Sequence, residues 1–219
     1  MRVEQPEGQR GSLKWIQRAV AEQWPTLEQP LLHKSGAAHV TWLSPLKSDS
    51  FAEYRDASFL RLLDLNHLVP ELAGFWPKRG PQWDALGKLD SNGVVLVEAK
   101  AHIAEFCTPG TAAREESRRL IESRLAGCAE YLGAKSRASW ADTFYQFGNR
   151  LAHLWFLRNS GVEAYLLLVG FLDDEGMGGP HSSETWKAAY QVASHALGLP
   201  TNHRLSRYIV HSHPRVPRG

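Results

Sequence analysis

The residues best placed to do chemistry lie in one stretch, Gly80 to His102, which reads GPQWDALGKLDSNGVVLVEAKAH. Its centre, Val94 to Val97, is a β-branched run that ends in Glu98-Ala99-Lys100, a carboxylate and an ammonium two residues apart. Side chains alternate along a strand, so Glu98 and Lys100 share one face with Leu96, while Val95, Val97 and Ala99 take the other. A strand this apolar is covered on both faces, and burying two unlike charges at its end is costly unless they are paired or metal-bound. Asp84 lies just upstream. Asp84 and Glu98 offer hard oxygen ligands, the Ala99 carbonyl could add another, and such a set selects Mg²⁺ or Mn²⁺ over zinc. Lys100 beside them could orient a water and stabilise developing negative charge. That combination suits hydrolysis of a phosphate ester.

Whether these groups meet depends on the element that joins them. Trp83 to Leu86 reads as a strand linked to the next through Asp90-Ser91-Asn92-Gly93, a hairpin signal. A two-residue Asn92-Gly93 loop would pair Asp84 with Ala101 and turn its side chain away from Glu98. A three-residue loop, Ser91 to Gly93 with Gly93 left-handed, pairs Asp84 with Lys100 and brings all three charges to one face; a bulge would also do so. Asp84, Glu98 and Lys100 are expected to converge on one face.

Asp84, a hairpin, and then Glu98-Ala99-Lys100 at the end of an apolar strand resemble the PD-(D/E)XK nuclease superfamily. The hairpin carries the likeness directly, and the elements between Phe51 and Phe171 follow that family's α-β-β-β-α-β order loosely. One departure is plain: the family's proline directly precedes the aspartate, whereas here the order is Pro81-Gln82-Trp83-Asp84. Chance alone supplies about one acid-x-Lys triplet in a chain of this composition, so the likeness rests on the hairpin around the triplet. The bland alternative is an exposed Glu–Lys pair at a strand end.

The resemblance implies an α/β protein with a restriction-endonuclease-like three-layer α/β/α core, its mixed central sheet flanked by helices. It further implies a Mg²⁺- (or Mn²⁺-) dependent nuclease acting on nucleic acid, DNA before RNA. Asp84, Glu98 and the Ala99 carbonyl would hold the metal, and Lys100 would assist the attacking water. Family members often place a further acid on the helix before the hairpin; Glu53 and Asp56 are the candidates, with Glu53 preferred. They also bring a polar residue, often Gln, of the helix after the catalytic strand to the active site or the scissile phosphate, which singles out Gln146 and Arg150 as nucleic-acid-binding candidates. The competing function class is the same fold without catalysis, a nucleic-acid-binding or assembly module.

The remaining elements frame this centre. Ser12 to Gln23 has amphipathic spacing, stopped by Pro25 and Pro30, and His39 to Leu43 reads as a short strand. Ser50-Phe-Ala-Glu53 has the form of a capping box opening a helix over 50–65, which also supplies a purely structural role for Glu53. A first sheet strand is expected around Gly74 to Trp76. Thr111 to Leu132 is helical with the stripe Ile121, Leu125, Cys128 and Leu132, and its arginines and glutamates form a salt-bridged outer face. Ser139 to Asn159 carries an apolar stripe through Phe144, Phe147, Leu151, Leu154 and Trp155, beside a polar row of Gln146, Asn149, Arg150 and His153. Glu163 to Leu172 is a buried strand beside the motif strand, Asp173 to Glu175 an exposed acidic turn, Ser183 to Leu197 a helix and Arg207 to His211 an edge strand. His211 and His213 could bind a metal in principle, without further ligands to support it.

Composition narrows the class. The chain has 219 residues, 43% of them hydrophobic, with eight Trp and eight Phe, enough for one packed domain spanning residues 1–219. Residues 1–49 are expected as an N-terminal helical and extended addition, and 201–219 as a basic C-terminal strand and tail. Cys107 and Cys128 form no disulfide framework or clustered zinc pattern. The start lacks an apolar signal core and no apolar run reaches membrane-spanning length, so a cytoplasmic protein with no membrane partner is expected. Net charge is only +2, and the basic character concentrates in Arg204, Arg207, Arg215 and Arg218. A homodimer fits the family habit.

Overall fold

A computed structural model of the chain describes residues 1–135 and 138–217. Ser136, Arg137, and Arg218 and Gly219 at the end of the expected basic tail lie outside the described residues. In chain order the elements are β1 (Arg2–Val3), α1 (Gly11–Ala21), α2 (Pro25–Ser35), β2 (Val40–Ser44), β3 (Glu53–Tyr54), α3 (Ala57–Leu62) and α4 (Val69–Phe75). They continue with β4 (Ala85–Leu89), β5 (Val94–Lys100), α5 (Ile103–Phe106), α6 (Glu115–Leu132), α7 (Tyr145–Asn159), β6 (Ala164–Gly170), α8 (Ser183–Ala196) and β7 (Ile209–Ser212). β1 and β3 form a small antiparallel pair. The main sheet is mixed, in the order β2-β4-β5-β6-β7, with antiparallel pairing up to β5 and parallel pairing from β5 to β7.

The two most apolar runs become neighbours because both must be covered on both faces, and every residue of β5 and β6 is buried. Alternation divides the core in two. Val95, Val97 and Ala99 pack with Trp15, Ile16 and Val20 of α1 and Leu27 and Leu31 of α2. Val94 and Leu96 face the other way, into a larger core built by α3, α4, α6, α7 and α8. Glu98 and Lys100 continue that second series, so they point toward α7. Residues 1–49 thus supply the helical cover of one face and, through β2, an edge of the sheet. No helix among the described residues is long and apolar enough to cross a membrane.

Several local expectations fail, each for an identifiable reason. The capping box does not open a helix: Ser50 and Phe51 adopt left-handed φ of 52° and 48°, which a helix cannot continue. Glu53 instead lies on β3, paired with Val3. Gly74 to Trp76 is not a strand, because α4 runs through Phe75. Pro25 begins a helix rather than only ending one, its fixed φ suiting the first turn. Pro30 lies inside α2, and the Thr26 carbonyl that it cannot bond accepts from Ser212 Oγ at 2.7 Å. The acidic turn is only partly exposed, since Asp174 is buried and accepts from Trp15 Nε1 at 2.7 Å.

The hairpin turns one position earlier than expected. Its loop is Asp90-Ser91-Asn92, closed by Leu89 N–H to Gly93 C=O at 2.8 Å, with Asn92 rather than Gly93 left-handed at φ 66°. The resulting register pairs Ala85 with Val97 and so sets Asp84 opposite Glu98, not Lys100. The shift amounts to two residues and preserves the face.

Gly170, which pairs with Lys100 across β5 and β6, is required by packing. A Cβ there would come within 2.6 Å of the Trp186 indole. Gly170→Ala should therefore lower the unfolding free energy by about 1–3 kcal/mol, read by denaturant titration. An unchanged midpoint would mean that the indole is free to move aside.

Candidate active site

Asp84 precedes β4, where its N–H donates to the Val97 carbonyl at 3.2 Å and its carboxylate accepts from Ala99 N–H at 2.7 Å. The N–H and C=O of one strand residue point to the same side, so the Ala99 carbonyl also points past the end of β4, toward Asp84. Glu98 sits between two cations. Its Oε1 lies 2.6 Å from Lys100 Nζ, and its Oε2 accepts from Arg150 Nε at 2.5 Å and also contacts Nη2. Arg150 arrives from α7, where its Nη1 donates to Asn149 Oδ1 at 2.8 Å and its Nη2 to the Gln82 carbonyl at 3.0 Å. Its guanidinium lies 4.8 Å from the Trp83 ring centre. Glu98, Lys100 and Arg150 are only 5%, 7% and 5% exposed, so the charges neutralise one another rather than being screened by water.

The two acids of the hairpin respond oppositely to this setting. Burial pushes the Glu98 carboxyl up, but Arg150 and Lys100 outweigh it and hold the group below the usual glutamate range. Burial alone would lower Lys100; Glu98 and Asp84 reverse this and raise it, so it stays charged. Asp84 is pushed well above the usual range by burial and by the Glu98 charge, which Lys100 only partly offsets. Glu53 is raised chiefly by burial, against the Gln82 hydrogen bond and with a contribution from Glu98. One carboxylate is fixed as an anion while its neighbours favour a proton. His153 takes no part in proton transfer near neutrality: burial drives it down to about 3, and it sits among Phe75, Trp76 and Trp83.

Glu53, Asp84, Glu98, Lys100, Gln146 and Arg150 all line one cleft of about 430 Å³. Asp56 does not; its carboxylate accepts from Gly80 N–H at 2.9 Å instead. Glu53 is held by the side-chain amides of Gln5 and Gln82. Gln146 has a buried Oε1 without a hydrogen-bond partner. Arg150 reaches the cleft, as the resemblance implies, but its guanidinium is turned inward onto Glu98. Gln82, Asn149 and the loop Thr108 to Gly110 belong to the site and were missed. For Asn149 the signal was its place in the polar row; for Gln82 none was available, since its backbone carbonyl does half of the work.

Among the described residues no three acidic, His or Cys side chains stand close enough to share a metal ion, so Glu53 is not a third direct ligand beside Asp84 and Glu98. The donors that remain still suit a hard dication. Glu98 Oε1 is buried without a properly directed hydrogen bond, Asp84 and Glu98 repel one another, and Mg²⁺ is commonly bound through one or two carboxylates with water filling its shell. Comparison of the chain with protein-family models, with curated proteins and with solved structures returns no match in any of the three.

Two stability predictions follow from the charge balance. Glu98→Gln strands two buried cations and should cost about 3 kcal/mol or more, whereas Asp84→Asn keeps the Ala99 hydrogen bond, removes a repulsion, and should match or exceed the wild type. Equal effects in the two variants would contradict the assignment. In metal-free buffer Asp84 holds its proton more tightly folded than unfolded. Its contribution is full below about pH 4 and is lost as pH rises through the raised folded value. The wild type should accordingly lose stability relative to Asp84→Asn as pH rises from 4 toward neutrality; a pH-independent difference would refute the raised Asp84.

Proposed function

We propose that the protein is a metal-dependent phosphodiesterase acting on nucleic acid, DNA before RNA, with a PD-(D/E)XK-type site on a restriction-endonuclease-like fold. The observation that carries this reading is the hairpin register, which sets Asp84 opposite Glu98 with Lys100 two residues on, all lining one cleft. Asp84, Glu98 and the Ala99 carbonyl would hold Mg²⁺ or Mn²⁺, and the ion when bound supplies a water of lowered pKa and positive charge near the scissile phosphate.

The chain's own groups then have distinct tasks. Lys100 is kept protonated chiefly by Glu98 and can donate to the attacking water or to a phosphate oxygen, stabilising charge that grows as the new P–O bond forms. Arg150 is a positioning residue: with two donors on Glu98 and others on Asn149 and Gln82, it fixes the carboxylate's rotamer. Gln146, on the cleft wall, and Arg79, at its rim, would meet the nucleic acid itself.

Binding without cleavage is the second reading, favoured by one observation: internal cations already hold both oxygens of Glu98. A cleavage assay on single-stranded, double-stranded and branched substrates separates the two. The nuclease reading expects cleavage that needs Mg²⁺ or Mn²⁺, is abolished by EDTA, and falls at least a hundredfold in Lys100→Ala while binding persists. Ca²⁺ should permit binding with little cleavage, because its looser shell positions water poorly. Metal-independent binding with no cleavage of any DNA or RNA would establish the binding module instead.

A further inference from the structure

We infer a second nucleic-acid contact at the opposite end of the sheet, where Lys34, Arg158, Arg204 and Arg207 surround Tyr208 and Tyr131 and would hold the phosphate backbone of a bound strand. β5, β6 and β7 run parallel, so the residues that precede β6 and β7 lie at the end away from Glu98 and Lys100. Two grooves of about 700 and 640 Å³ adjoin there and share Arg158, Arg207 and Tyr208.

Their arginines are held without being neutralised. The Arg158 guanidinium lies 3.6 Å from the Tyr208 ring centre and that of Arg207 4.7 Å, while Arg204 lies 4.9 Å from Tyr131. An aromatic face orients a guanidinium yet leaves its charge and its donors available. Among the described residues none of the four cations has a carboxylate at ion-pair distance. On α6, by contrast, Arg118 pairs with Glu122 and Arg119 with Glu115. Glu163, the one acid lining either groove among the described residues, accepts from the Tyr165 hydroxyl at 3.0 Å. Arg158 Nη1 is buried and has no hydrogen-bond partner among the described residues.

Four cations along two adjoining grooves exceed what one small anion needs, and they match a run of phosphates. The seven residues of β5 span about 20 Å at ~3.3 Å each. A strand reaching from this patch to the cleft would therefore cover on the order of six nucleotides at ~3.4 Å each. That span rests on the cleft's proposed function; the patch's affinity for nucleic acid does not.

The test uses the full chain in EDTA, which silences any cleavage, and measures anisotropy of labelled single- and double-stranded oligonucleotides of about 20 nucleotides. Arg204→Glu/Arg207→Glu, both exposed positions, should weaken binding at least tenfold and lower the salt slope by about 2. Arg119→Glu, an exposed arginine already paired, serves as the charge control and should change little. No binding by the wild type, an unchanged affinity and slope in the double variant, or an equal loss in the control would each overturn the inference. So would a loss seen only with vesicles of anionic lipid. Patch-dependent binding without any metal-dependent cleavage would sink the nuclease reading alone, and cleavage with patch-independent binding would sink this one alone.

Discussion

The rest of the site depends on one constraint: a carboxylate at the buried end of β5 must be compensated where water cannot do it. Glu98 receives Lys100 from its own strand and Arg150 from α7, each at contact distance. Removing two unlike charges from water is costly, and the cost is recovered only when geometry and additional hydrogen bonds are good. Here the additional bonds run from Arg150 to Asn149 and to the Gln82 carbonyl, so the ion pair also ties the helix to the segment that enters the hairpin.

With Glu98 fixed as an anion, the hairpin register sets Asp84 against it, and the two acids of one motif acquire opposite proton affinities. Such divergence between neighbouring titratable groups marks a functional-site candidate, and buried ion-pair networks produce it too. Asp84 and Glu53 face the same negative neighbour, which helps to raise both. A hard cation at that point would relieve repulsion that the internal cations leave standing.

Much of this was legible in the sequence, for reasons that also mark where legibility ends. Period-two alternation in Val94 to Lys100 places Glu98 and Lys100 on one face regardless of neighbours, and the 3.6-residue stripe Ile121, Leu125, Cys128 and Leu132 is the buried one. The hairpin was legible but not its register, since Asn92, like the glycine beside it, can take left-handed φ. The helix over 50–65 survives only as α3, because a four-residue pattern says nothing about Ser50 and Phe51 turning left-handed. α2 was hidden by Pro30, whose cost is met by Ser212, far along the chain. Arg150 could be placed on a polar helix face, yet only the packing of α7 against the sheet shows that this face looks at Glu98. Local patterns carry local geometry, and partners across the core are set by the fold as a whole.

The proposed function stands or falls with joint binding of a hard dication by Asp84 and Glu98. Calorimetric titration of the metal-free protein with Mn²⁺ tests it most directly, comparing wild type with Asp84→Asn, which removes one ligand and leaves the Glu98 ion pairs intact. The account predicts one site in the wild type and at least a tenfold loss of affinity in Asp84→Asn, with the wild type's unfolding free energy rising by about 2.7 kcal/mol at a free Mn²⁺ concentration of a hundred times Kd. Equal Mn²⁺ affinity in the two proteins, or no binding by the wild type, would contradict it.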